Sequence, residues 1–160
     1  MINTITPCLW FNDQAEEAAK YYLRVFKNSK ITSICPYPQD MHDKKAGDVM
    51  VVAFELDGQP FTALNGGPFF QLNEAVSFQI ECATQEEVDY FWEKLSEGGD
   101  PAAQQCGWLK DKFGLSWQIV PKIIPEMMMS TDTVKKQRGF QAMLQMKKLD
   151  IAALQRAFEG

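Results

Sequence analysis

A strand, a helix and a pair of short strands occur twice in the same order along this chain, and that repeat restricts the fold more than any other feature. The first copy opens with Thr4-Ile-Thr-Pro-Cys-Leu-Trp-Phe11, then Asn12 and Asp13 as candidate helix caps, with Glu16 three residues after Asp13. Ala15, Ala18, Ala19, Tyr22 and Phe26 follow at the 3.6-residue spacing of a helix packed on a sheet. Val49–Leu56 and Pro60–Asn65, joined by Asp57-Gly58, read as a hairpin. The second copy begins at Val76 with Val-Ser-Phe-Gln-Ile-Glu-Cys82, and Thr84-Gln-Glu-Glu87 forms a capping box. Val88, Phe91, Trp92 and Leu95 mark a buried helix face, Gly98-Gly99 ends that helix, and Trp108–Phe113 and Leu115–Val120 return as strands.

Thr6 and Ser77 are separated by 71 positions, as are Asp13 and Thr84, whereas the turn glycines Gly58 and Gly114 are separated by 56. The first copy therefore holds about fifteen additional residues between helix and hairpin, placed by the same register at Pro36–Asp48. That polar stretch carries His42, the single histidine, and reads as a flexible excursion at the rim of the sheet. The expected architecture is α+β: two βαβββ modules with open, cupped mixed sheets (1–67 and 74–121, one domain) and a helical extension over 122–160. In the extension, Pro125–Met129, Thr133–Met146 (with Phe140, Met143 and Leu144) and a segment capped by Asp150 read as helices.

Strand alternation sorts the side chains. Ile5, Leu9 and Phe11 are expected beneath the first helix, and Thr6, Cys8 and Trp10 on the opposite face. Val76, Phe78, Ile80, Cys82, Trp117 and Ile119 are expected in the core, with Ser77, Gln79, Glu81, Ser116 and Gln118 facing away. If the two sheets curl together, their uncovered faces line a shared concavity beside Trp10 and Trp108, a setting for a small molecule. The alternative is that these polar groups face solvent on an antiparallel sheet.

The formal net charge of -5 argues against a nucleic-acid partner. Apolar runs fall far short of the ~20 residues that span a bilayer, which argues against a membrane partner. The first residues lack the basic-then-apolar order of a secretory signal, so a cytoplasmic location is expected. Cys8, Cys35, Cys82 and Cys106 have no zinc-like spacing and read as buried, reduced thiols.

Leu64-Asn-Gly-Gly-Pro68, Ser77-Phe-Gln-Ile80, Cys106-Gly-Trp-Leu-Lys-Asp-Lys-Phe-Gly114 and Ser116-Trp-Gln-Ile-Val-Pro121 together resemble the PhnB-like family of the vicinal oxygen chelate superfamily. The resemblance covers about Met1–Pro121, and the run from Cys106 to Pro121 is its most specific part. That superfamily includes glyoxalase I, extradiol dioxygenases and fosfomycin-resistance proteins. Members of the family commonly carry the name 3-demethylubiquinone-9 3-methyltransferase, which the resemblance passes on here. No strand in this chain is followed by the glycine loop and helix that cradle S-adenosylmethionine in Rossmann-like methyltransferases, and Gly66-Gly67 reads as a linker turn.

The resemblance also implies where metal ligands would stand: Thr6, Ser77 and Gln118, with a further position near Thr62. Hydroxyl and amide groups are weak ligands for zinc, nickel or iron, and one histidine cannot supply a two-histidine site. The expectation is a protein without metal or other cofactor. Three readings stand open: a cup that binds a small molecule through Thr6, Cys8, Trp10, Thr62, Ser77, Gln79, Trp108 and Gln118; an enzyme using Glu81 as a general base raised in pKa by partial burial, with Lys110 and Asp111 assisting; or a ligand-free dimeric scaffold. A homodimer is expected in each case, because an open sheet leaves strand edges to be covered.

Overall fold

The computed structural model describes residues 5–160, and the chain divides between Leu72 and Asn73 into two compact units. Thr4, placed in the first strand by sequence, lies outside the described residues. The fold is α+β with mixed sheets and C-terminal helices. Among the described residues no helix is long and apolar enough to cross a membrane.

In the first unit, β1 (Cys8–Phe11) is followed by α1 (Ala15–Val25), β2 (Lys30–Pro36), β3 (Val49–Leu56) and β4 (Gln59–Asn65). The sheet order is β1-β4-β3-β2, with β1 parallel to β4 and the other pairs antiparallel. Asp57 and Gly58 both adopt positive φ (48° and 80°), the geometry a two-residue hairpin turn requires. Leu9, Phe11, Val52, Phe54, Leu56, Phe61 and Ala63 form the covered face, against Ala15, Ala18, Ala19, Tyr22 and Val25 of α1. The three alanines keep the helix close to the sheet, where Tyr22, Phe54 and Phe61 stack in series at 6.4 and 5.5 Å.

Two expectations are corrected in this unit, and one strand is added to it. Ile5 is 90% exposed, because β1 begins only at Cys8 and the alternation does not extend back past Pro7. Strand β2 carries a register shift between Ile31 and Ser33, which breaks the alternation that would have revealed it. Neither Asn12 nor Asp13 caps α1. Its N-cap is Gln14, without a side-chain bond, and the Ala15 N–H is instead taken by Asn65 Oδ1 at 2.8 Å, fifty residues away.

The second unit contains β5 (Ser77–Cys82), α2 (Gln85–Ser96), β6 (Trp108–Lys110), β7 (Ser116–Pro121), α3 (Ile123–Met129), α4 (Thr133–Leu144) and α5 (Ile151–Glu159). Its sheet runs β5-β7-β6, with β5 parallel to β7. The module order is the same with one strand fewer, a 3-10 turn at Pro101–Ala103 lying between α2 and β6 where β2 stands in the first unit. Thr84 Oγ1 accepts from the Glu87 N–H, and Glu87 Oε2 accepts from the Ala83 N–H, one residue earlier than a standard capping box. Val88 and Leu95 of α2 are buried, as are Leu109, Trp117, Ile119 and Cys82 of the sheet; Phe78, Ile80, Phe91 and Trp92 are half-buried.

Asp111 organises the turn from β6 to β7. Its carboxylate accepts from the Phe113 and Leu115 N–H groups at 2.9 and 3.0 Å and from Trp117 Nε1 at 2.9 Å, the last two beneath the surface. The helical extension belongs to this unit. The Cys106 and Gly107 N–H groups donate to Met146 O and Lys147 O at 2.8 Å, and Gln85 Oε1 takes the Ile151 N–H at the start of α5. Met127, Leu149 and Leu154 form its core, and Gly139 lets α4 cross so close to Met127 that a Cβ there would stand 2.0 Å from the thioether methyl. Phe140 and Leu144 of α4 are exposed, and Gly139 faces inward.

Two outcomes follow. Asp111→Ala strands a buried indole N–H and two backbone N–H groups, and should cost about 3 kcal/mol in denaturant unfolding, against under 1 kcal/mol for Gln79→Ala. Cys8 and Cys35 are exposed, contrary to the expectation of buried thiols, while Cys82 is fully enclosed. Burial, reinforced by Glu87 and Glu81, pushes the Cys82 thiol up to about 11. Folding favours the protonated thiol, so that contribution to stability is intact below the ordinary value of 9.0 and is lost as pH rises through about 11. A disulfide reagent at pH 8 should label Cys8 and Cys35 within minutes and Cys82 only after unfolding.

Candidate functional site

The sequence Leu64-Asn-Gly-Gly-Pro68 at the end of β4 positions most of the first unit's open face. Asn65 is buried, and besides capping α1 it donates from Nδ2 to Val49 O at 2.9 Å and accepts the Tyr37 hydroxyl on its carbonyl at 2.5 Å. Gly66 donates its N–H to Phe11 O, and Gly67, at φ +87°, donates to Asn12 O. The Trp10 indole lies against Gly66: a Cβ there would stand 2.2 Å from the ring. The ring's N–H donates to Gly67 O at 2.9 Å, and Phe70 meets it edge-on at 5.0 Å. Gly66-Gly67 is therefore the seat of Trp10 as well as a turn.

Above this seat, residues 37–48 fold back on themselves instead of forming a flexible excursion. Tyr37 N–H donates to Asp48 O, Gly47 N–H to Tyr37 O, and Met41 and Lys44 exchange both backbone bonds at 3.0 Å around His42, which takes a left-handed φ of +53°. Asp40 accepts from the Ala46 N–H and the Lys45 ammonium, which hold its carboxyl below the usual carboxylate range. The loop and the seat enclose a cleft of about 540 Å³, within the size range of small-molecule sites, lined by Trp10, Tyr37, His42, Lys44, Leu64 and Phe69 among others. Tyr37, His42 and Lys44 were not among the expected site residues. The sequence signal was the concentration of Asp40, Lys45, Gly47 and Asp48, which bond locally and shape the loop.

Of the expected residues in this unit, Trp10 lines the cleft. Thr6 and Cys8 are exposed, and Thr62, opposite Cys8 in the β1–β4 register, reaches Pro7 O at 3.4 Å. In the second unit the polar groups form one row. Gln118 Nε2 donates to Ser77 Oγ at 2.8 Å, and Gln79 Nε2 donates to Gln118 Oε1 at 3.2 Å, with Trp108 beside Gln118 in register. Glu81 continues the row but is 63% exposed and pairs with Lys122 at 3.5 Å, so the burial expected of a general base is absent. Lys110 pairs with Glu74, whose carboxyl it holds below the usual range, and Asp111 is consumed by its turn; neither assists Glu81. Among the described residues no group of three or more His, Cys, Asp or Glu side chains could hold a metal ion.

The chain matches a family model described as 3-demethylubiquinone-9 3-methyltransferase over residues 3–120. A PhnB protein of Bacillus cereus, whose name assigns it provisionally to the same methyltransferases, is 34% identical, with 74% of this chain and 99% of that one covered and a TM-score of 0.63. A Pseudomonas aeruginosa protein is 18% identical over 75% and 98% of the two chains, with a TM-score of 0.59. A genomically encoded fosfomycin resistance protein of Listeria monocytogenes is 13% identical over 80% and 98%, with a TM-score of 0.55. The last two share the fold. No curated protein matches the sequence.

Gly66→Ala should displace the Trp10 ring. The expected outcome is a red-shifted tryptophan emission and a stability loss of about 1–3 kcal/mol by overpacking. Emission and stability like those of the parent protein would show that the ring does not depend on this glycine.

Proposed function

We propose a function on one established premise: the chain belongs to the 3-demethylubiquinone-9 3-methyltransferase family, the PhnB-like branch of the vicinal oxygen chelate superfamily. From it we infer that the protein binds a small organic molecule in the cleft of its first unit, without a divalent metal held by protein ligands. The observation that carries this reading is the preformed cleft, with Trp10 fixed on Gly66 and a hydrogen-bonded loop as its wall. A site built before its ligand arrives spends little of the binding energy on ordering the chain. The positions matched to the superfamily's metal ligands are Thr6, Ser77, Gln118 and Thr62, hydroxyls and an amide that hold transition metals weakly.

The family's methyltransferase name implies S-adenosylmethionine, and the glycines do not fit that cofactor. Gly66-Gly67 receives Trp10 and opens no helix. Gly98-Gly99 follows the C-terminus of α2, where a Cβ on Gly99 would stand 2.0 Å from Lys110 O. A carboxylate-base enzyme is the weaker reading, because Glu81 is exposed and ion-paired. For the quaternary state we propose a homodimer. The helical extension packs on its own unit, so the support is the pair of outer strands in each sheet, β1 and β2, β5 and β6.

A thermal-shift screen should find compounds that stabilise the full chain, by about 2.7 kcal/mol at a hundredfold excess over Kd. Trp10→Leu should lose that stabilisation and Gln79→Ala should keep it. The reverse pattern would move the binding site to the second unit. Elemental analysis should find far less than one transition metal ion per chain, and light scattering should report twice the 18.2 kDa chain mass.

A further inference from the structure

The chemistry of the cleft wall narrows what it can hold. Its apolar part includes three aromatic rings, Trp10, Tyr37 and Phe69, beside the Met41 and Met50 thioethers and Leu64. Ring faces and an adaptable sulfur favour a flat, polarisable body over a puckered aliphatic one. Besides the Tyr37 phenol, the ionisable lining residues are His42, Asp43 and Lys44, consecutive in the tight turn closed by the Met41–Lys44 bridge.

Lys44 and Asp43 are unequal partners. The Lys44 side chain is only 14% exposed, whereas that of Asp43 is 66% exposed and reaches the ammonium at 3.3 Å. Backbone bonding and Lys44 keep the Asp43 carboxyl below its usual range, so it stays ionised and hydrated. An ammonium carries three donors, and among the described residues Asp43 occupies one of them. A largely enclosed cation with donor capacity to spare gains from a second acceptor, while the exposed Asp43 charge is screened by water. His42, on the same wall, offers a ring N–H in either protonation state. With no arginine in the lining, the wall lacks the bidentate fork that planar recognition of a phosphate calls on.

We propose that the cleft takes a flat aromatic molecule bearing a single carboxylate or comparable acidic oxygen, its ring against Trp10 and its oxygen on Lys44. This rests on the binding reading above and adds the ligand class to it. The carboxylate binds as a charge-assisted acceptor, and no covalent step is involved.

Four probes of similar size separate the elements of the proposal in titrations of the full chain followed by intrinsic fluorescence and thermal shift: 2-naphthoate, 2-naphthylmethanol, naphthalen-2-ylmethylamine and decalin-2-carboxylate. 2-Naphthoate should bind most tightly, about tenfold better than the alcohol and by a wider margin than the amine. Lys44→Met should erase the advantage of acid over alcohol, bringing the two to similar affinity, and Trp10→Leu should weaken both. Decalin-2-carboxylate matching 2-naphthoate would overturn the flat-body assignment. An acid preference that survives Lys44→Met, or an amine that binds as well as the acid, would overturn the charge assignment. In those cases binding that still depends on Trp10 leaves the cleft itself in place as a binding site. If no probe binds up to millimolar concentration, or if binding is indifferent to Trp10→Leu, this proposal and the binding reading both fall.

Discussion

Position 66 has no side chain, and much of the first unit follows from that. The indole of Trp10 occupies the volume a Cβ would take, which brings its N–H to the Gly67 carbonyl and commits β1 to the end of β4. One residue earlier, Asn65 satisfies the first N–H of α1, bonds the start of β3 and receives the hydroxyl of Tyr37. Three consecutive residues, Asn65, Gly66 and Gly67, thus join helix, sheet and loop. The cost of any one change is spread over neighbours, since a buried amide that loses a partner leaves that partner unsatisfied. The same contacts also fix the wall of the cleft.

The second unit applies the same module order to a different end. The turn between its last two strands, the counterpart of Asp57-Gly58, is held by a carboxylate, Asp111, and Trp117 points into the core to meet that carboxylate. The polar row on its open face, Ser77, Gln118 and Gln79, is bonded within itself. Its helical extension is stitched on through Cys106, Gly107 and Gln85, so α3 to α5 complete a core of their own instead of waiting for a partner. One module order occurs twice, and the side chains of the two copies do different work.

The repeat, the alternation of Cys8–Phe11 and the positions of both module helices were legible, because each depends on periodicity that burial imposes directly, whereas Val76, expected in the core, is exposed ahead of β5 and Ser116, expected to face away, is buried. Sequence patterns failed where a contact joins distant residues or where geometry interrupts the period. Asn12 and Asp13 are the caps a local rule offers for α1, because such a rule cannot see Asn65 across the sheet. Strand β2 was hidden by the bulge between Ile31 and Ser33. Of the candidate site, Trp10 was legible from strand parity. Lys44, His42 and Tyr37 were not, since their loop looks like any polar insertion until its internal hydrogen bonds are drawn. Gly66 was visible only as a turn residue; that it receives an aromatic ring depends on Trp10, fifty-six positions earlier.

The central claim is that the first unit's cleft, and not the polar row of the second, receives the ligand. Four tryptophans, Trp10, Trp92, Trp108 and Trp117, report on it separately through their indole N–H resonances in a nitrogen-15-labelled full-length chain. On addition of saturating 2-naphthoate, the Trp10 resonance should shift and that of Trp108 should stay in place. A shift confined to Trp108, with Trp10 unmoved, would contradict the claim and place the ligand on the second unit.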